Sequence, residues 1–198
     1  MLLLFAPGAG KPSSSDWMTR WAGYLDGIVD GARVVRFDYP YAREGRKRPD
    51  RHPKLLDAHE VALEQHRQPG EPVVLIGKSM GSRIGCHLAA ERIPDITALV
   101  CLGYPLASMG NRDKLRTAVL EATRHPVLFV QGTRDRLCPL DLLEPARAAM
   151  SVETALHVVE AGDHSLQVTK TWMKQTGLTQ EDADASAVDA IRGFLQAR

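Results

Sequence analysis

The chain has 198 residues, enough for one domain with a full core, and its apolar fraction of 44% with a charged fraction of 25% excludes a disordered or fibrous protein. A formal charge of +1 excludes a general attraction to nucleic acid or to anionic membrane. No apolar run approaches the roughly 20 residues of a membrane span, the start Met1-Leu2-Leu3-Leu4-Phe5 is too short for a signal segment, and Cys86, Cys101 and Cys138 read as buried, reduced thiols of a cytoplasmic protein.

Leu2–Phe5 is the first expected strand, and it runs into the glycine-rich turn Ala6-Pro7-Gly8-Ala9-Gly10. Ser13 to Asp16 offer helix caps, Trp17, Trp21, Leu25 and Ile28 follow at helical spacing, and Gly31 is the natural stop. Arg33–Asp38 is the second strand, and a long polar loop from Tyr39 to about Lys54 follows it. Leu55, Leu56, His59, Ala62 and Leu63 lie on one face of a helix ending near Pro69-Gly70. Val73–Ile76 is a Gly-bounded apolar run, the mark of a buried parallel strand. Beyond Gly77-Lys78-Ser79-Met80-Gly81 a helix is expected, with Gly81, Gly85 and Ala89 in one i, i+4, i+8 row that allows close approach to a sheet. Further strands are expected at Ile96–Leu102, Val127–Val130 and Leu156–Val159, and helices at Asp113–Arg124, Leu140–Met150 and around Val188, Ile191 and Leu195. The alternation predicts one domain over residues 1–198. Its fold class is α/β, a three-layer α/β/α sandwich on a mostly parallel six-stranded sheet.

In such sheets ligands sit beyond the carboxyl ends of the strands. The turns there carry Gly8–Gly10, Ser79, Asp135 and His164. Gly-x-Ser-x-Gly between a buried strand and a helix is the pattern of a nucleophile elbow, although alone it also fits an ordinary turn with Ser79 as a helix cap. A serine nucleophile needs a base, and the base needs a carboxylate to orient it. Of seven histidines only His164 follows a late strand directly. Asp135 ends another strand between Ser79 and His164, and Asp163 is its competitor. The tetrahedral intermediate needs backbone donors. Met80, after the serine, should give one, and Ala9 the other, with Gly10 as the near alternative. Gly8, Gly10 and Tyr104 should border the substrate. The expected pocket is shallow and open, rimmed by 39–41, 104–106 and 138–140. Gly8-x-Gly10 lacks the third glycine of a dinucleotide fingerprint; no cofactor and no metal are expected. The basic run Arg43, Arg46, Lys47, Arg48, Arg51 and Lys54 reads first as a solvated charged loop, and second as a cationic rim for an anionic substrate or partner. Lys78 is expected to point to solvent or shield the sheet's edge, although it and Arg83 are also candidates to face the pocket.

The segments 6–10 (APGAG), 34–41 (VVRFDYPY), 76–83 (IGKSMGSR), 99–105 (LVCLGYP), 130–135 (VQGTRD) and 162–166 (GDHSL) resemble the α/β-hydrolase superfamily. More closely they resemble a bacterial α/β family hydrolase branch related to dienelactone hydrolases, whose eukaryotic relatives include testis-expressed proteins and a non-specific-lethal complex subunit. The resemblance implies the triad Ser79, Asp135 and His164. It also implies a minimal fold without the cap domain of larger members, since 103–113 is too short to hold one. Two functions follow. One is a serine hydrolase acting on a small-molecule ester or thioester. The other is a hydrolase-fold binding module with little turnover.

Overall fold

A computed structural model describes residues 1–93, 95–108 and 114–198. Its six strands are β1 (Leu2–Ala6), β2 (Arg33–Arg36), β3 (Val73–Lys78), β4 (Ala98–Leu102), β5 (Val127–Gly132) and β6 (Thr154–Val159), in the spatial order β2-β1-β3-β4-β5-β6. Every neighbouring pair is parallel. β1, β3, β4 and β5 are buried along their whole length, whereas the edge strands β2 and β6 are only partly so.

Parallel neighbours need crossover connections, and the helices supply them. They are α1 (Asp16–Leu25), α2 (Pro40–Arg43), α3 (His52–His66), α4 (Met80–Glu91), α5 (Ala118–Ala122), α6 (Leu140–Ala148), α7 (Lys170–Thr176) and α8 (Gln180–Gln196). Successive strand residues point to opposite faces, so each central strand feeds two cores. Leu2, Leu4, Val73, Leu75, Leu99, Cys101, Val127 and Phe129 meet α3, α4, α5 and α6 through Leu56, Leu63, Ile84, Leu88, Leu120 and Leu143. Leu3, Phe5, Val74, Ile76, Val100, Leu102, Leu128 and Val130 meet α1 and α8 through Met18, Trp21, Leu25, Val188, Ile191 and Phe194. Burial on both faces explains the unbroken apolar runs in the sequence. Each such side chain contributes about 1.5–3 kcal/mol. The three-layer α/β/α architecture is thus as expected.

Several boundaries differ. β2 stops at Arg36, and the stretch expected as loop holds α2 and the start of α3. Each of these helices has a proline in its first turn, where the missing N–H is harmless, and Tyr39 and Tyr41 are buried rather than solvated. α1 ends at Leu25, before Gly27 with its φ of 63°. β4 begins at Ala98 and β6 at Thr154. The helix expected over 113–124 is the shorter α5; residues 109–113, which also bear on the expected lack of a cap, lie outside the described residues. α7 was not expected, because none of its residues is buried and no apolar period announces it. Its marks are the Thr169 side chain, which accepts from the Trp172 N–H, and Gly177 at φ 74°. α8 begins well before Val188, at a capping box of Thr179 and Asp182.

Chain direction across the sheet reverses at β1, which has β2 on one side and β3 on the other. The crevice at such a switch point opens beyond the carboxyl ends of the strands. Here those ends carry the Gly8–Gly10 turn and Ser79.

Candidate active site

Ser79 occupies the junction between β3 and α4 with φ 51° and ψ −113°. A positive φ at a residue with a side chain is strained, and only surrounding structure holds it. The Ser79 N–H donates to Leu102 O (3.0 Å), while its carbonyl accepts from the Ser82 hydroxyl (2.7 Å) and the Arg83 N–H (3.2 Å). The turn needs its glycines for clearance. A Cβ on Gly77 would lie 2.1 Å from Ser82 N, and one on Gly81 would lie 2.5 Å from Ala6 O. Gly85, the next in the row, has only ordinary contacts at 3.6 Å. Close approach of α4 to β1 therefore rests on Gly81.

The turns after β5 and β6 interlock through their backbones. The Arg134 N–H donates to Gly162 O (2.8 Å), the Thr133 N–H donates to Val159 O (3.1 Å), and a Cβ on Gly132 would meet Gly162 O at 2.2 Å. This interlock carries Asp135 to His164. His164 Nδ1 lies 2.7 Å from Asp135 Oδ2, and His164 Nε2 lies 2.8 Å from Ser79 Oγ. An ionised Asp135 accepts the Nδ1–H, which leaves Nε2 free to accept from the serine hydroxyl. Asp135 is 3% exposed and is held by two further donors, the Leu137 N–H (2.8 Å) on Oδ1 and the Gln131 amide on Oδ2. Asp163, the rival acid, spends its carboxylate inside the His164 turn, accepting from the Ser165 N–H (2.7 Å) and the Gln167 N–H (3.0 Å).

Lys78 does not point to solvent; it lines the larger of the two lobes beside Ser79, as the second of its expected positions has it. It is 8% exposed, its ammonium donates to the His164 carbonyl, and it lies 5.5 Å over the Trp17 ring. Desolvation pushes its pKa down to about 8 against the opposing pull of Asp135 and Asp163. Position within a buried strand gives no hint that a lysine at its end will fold back under a distant turn. Gln131 was also missed, although a glutamine buried at the end of β5 is a signal of its own. Besides binding Asp135, it accepts from the Tyr104 N–H (3.0 Å).

Two lobes meet at Ser79. One, about 740 Å³, is lined by Gly8, Trp17, Lys78, His164 and Gln167. The other, about 350 Å³, is lined by Asp50, His52, Met80, Arg83 and Arg116. Ala9 and Ser79 line both. A separate cleft of about 750 Å³ beside Thr133–Asp141 includes neither Ser79 nor His164. The Gly10 N–H donates to the Tyr41 hydroxyl (3.3 Å). The Met80 N–H stands in the first turn of α4, where a helix offers no internal acceptor. Tyr104 is fully buried, its hydroxyl donates to Arg116 O (3.1 Å), and it is not among the residues lining either lobe. It supports the wall instead of bordering substrate. Tyr39, Tyr41 and Cys138 are equally buried; of the expected rim Pro105 lines the smaller lobe, and Pro49 and Leu137 line it as well. The basic stretch is partly neutralised at home, since Arg46 pairs with Glu44 (2.6 Å) and Asp50 (2.8 Å), and Lys54 with Asp50 (3.4 Å).

A parallel sheet whose third strand turns sharply through a serine into a helix, with aspartate and histidine on the turns after the fifth and sixth strands, is the arrangement of an α/β hydrolase. The chain belongs to that family: the profile of the alpha/beta hydrolase domain matches residues 1–196. Protein sumv-2 of Caenorhabditis elegans is 25% identical over 136 residues, which cover 68% of this chain and 12% of that much longer protein. Among solved structures, Est1E from Butyrivibrio proteoclasticus superposes with a TM-score of 0.71 at 15% identity, over 99% of this chain and 87% of that one. Dienelactone hydrolase from Anabaena variabilis gives 0.66 at 21% identity, over 91% and 83%. Likeness at these identities speaks for the fold. No described helix is long and apolar enough to cross a membrane.

Proposed function

We propose that this protein is a serine hydrolase that cleaves small carboxylic esters or thioesters through an acyl-enzyme, within a single α/β-hydrolase domain over residues 1–198. The observation that carries the reading is the continuous chain Ser79–His164–Asp135, with links of 2.8 Å and 2.7 Å. Such links are within the reach that nucleophilic catalysis needs. Ser79 Oγ attacks the carbonyl carbon while its proton passes to His164 Nε2. Asp135 orients the imidazole and stabilises its cationic form. The Ala9 and Met80 N–H groups receive the oxyanion. When the intermediate collapses, the bond to the leaving oxygen or sulfur breaks and that atom takes the proton from Nε2. Water then repeats the sequence on the acyl-enzyme and frees Ser79 and a carboxylic acid.

Lys78 is a positioning residue in this scheme, because its bond to the His164 carbonyl ties the base-bearing turn to the strand that carries the nucleophile. The test is hydrolysis of 4-nitrophenyl acetate by the wild type and by Ser79→Ala. The expected result is turnover by the first, and loss of at least about a thousandfold in the second. A Ser79→Ala protein as active as the wild type would refute the reading.

A further inference from the structure

We infer that the acyl half of the substrate ends in a carboxylate, which Arg83 and Arg116 hold in the smaller lobe. The substrate is thus a half-ester of a short dicarboxylic acid. The inference rests on the serine-hydrolase reading and adds the substrate class to it.

The chemistry assigns the two lobes. The leaving oxygen takes its proton from His164 Nε2, so the leaving group departs on the side of His164, the lobe lined by Trp17 and Lys78. The carbonyl carbon is bonded to Ser79 Oγ, and Ser79 belongs to both lobes. The acyl chain therefore extends into the other one. Its volume of about 350 Å³ suits a short chain with a polar end.

Among the described residues, no carboxylate lining that lobe is free to balance its two guanidinium groups. Arg116 is fixed by neutral partners: Nη1 donates to Pro105 O and Ala107 O (both 2.8 Å), and Nη2 to Ser108 Oγ (2.9 Å). These bonds orient the group and leave its charge intact. The Arg83 guanidinium makes no hydrogen bond or ion pair with any described residue, is half-buried, and feels the like charge of Arg116. Among the described residues one carboxylate lines the lobe, Asp50, and it is already taken. Its Oδ1 accepts from Arg46 (2.8 Å) and Lys54 (3.4 Å), and its Oδ2 from the Tyr41 N–H (3.0 Å). Two like charges in a partly desolvated wall are unfavourable in the empty site, and an incoming anion relieves them. Guanidinium groups match the planar fork of a carboxylate. Hydrolysis of such a half-ester consumes one water and releases a free dicarboxylic acid and an alcohol.

The experiment compares two esters of equal chain length on the wild type, 4-nitrophenyl hydrogen adipate and 4-nitrophenyl hexanoate, with the uncatalysed rate subtracted. They differ by a carboxylate in place of a methyl group. A charge-assisted contact predicts a kcat/KM ratio of about ten or more in favour of the adipate, and the ratio should shrink as salt screens the pair. In Arg83→Met the ratio should fall towards about one. Equal turnover of the two esters by the wild type, or preference for the hexanoate, overturns this inference alone. Turnover of neither overturns the serine-hydrolase reading and this inference with it. The wild-type ratio decides, so the test stands even where the arginine variant does not fold.

Discussion

The backbone of Ser79 is held at φ 51° by the bonds that its own N–H and carbonyl make. The hydroxyl takes no part in that restraint. Ser79→Ala should accordingly leave stability within about 1 kcal/mol of the wild type, measured by urea unfolding, while Ser79→Gly relieves the strain and should unfold later than the alanine variant. Lys78 gives a pH signature. Its pKa is about 8 in the folded chain and near 10.5 when unfolded. Between those values the unfolded chain binds the proton and the folded one does not, so stability rises with pH across this window. Relative to Lys78→Met, the wild type should gain about 2 kcal/mol between pH 7 and pH 9.5. A flat difference would contradict the buried ammonium. At this scale Ser79, Asp135 and His164 were legible because each follows a strand directly. Lys78, Gln131 and the buried Tyr104 were not, since their roles depend on side-chain partners far away in sequence.

Among the elements, α4 makes the most demanding contact. A Cβ on Gly81 meets backbone of β1, which has no room to move, whereas Gly85 has space. Gly81→Ala should cost about 3 kcal/mol or more. Gly85→Ala should be neutral or stabilise by up to about 1 kcal/mol through helix propensity. Thermal unfolding of the two variants checks both, and a tolerated Gly81→Ala would refute the packing described. The sequence treats both glycines as one row, because periodicity reports which face is buried and not how close the neighbour comes. The central strands were legible for a related reason: burial on both faces makes them continuous apolar runs. α2 and α7 carry no such record, being short and fixed by local proline, cap and glycine chemistry.

For the whole molecule, the sheet's switch point, the interlocked turns after β5 and β6, and the two lobes converge on Ser79. Among the described residues both lobes are open clefts, so short acyl esters should be hydrolysed faster than long ones. A series of 4-nitrophenyl esters from acetate to palmitate tests this through kcat/KM, and a maximum at long chains would contradict it. Charge at this scale is misleading from sequence alone. The basic run at 43–54 draws attention but partly pairs with its own Glu44 and Asp50, while the less conspicuous Arg83 and Arg116 keep their charge beside the serine. The central claim is that Ser79 is an activated nucleophile. It is tested most directly by exposing the native protein to a fluorophosphonate probe and sequencing the labelled peptide. The account predicts one label per chain, on Ser79, absent from Ser79→Ala and from His164→Ala. A folded wild-type protein that takes no label, or takes it on another residue, would contradict it.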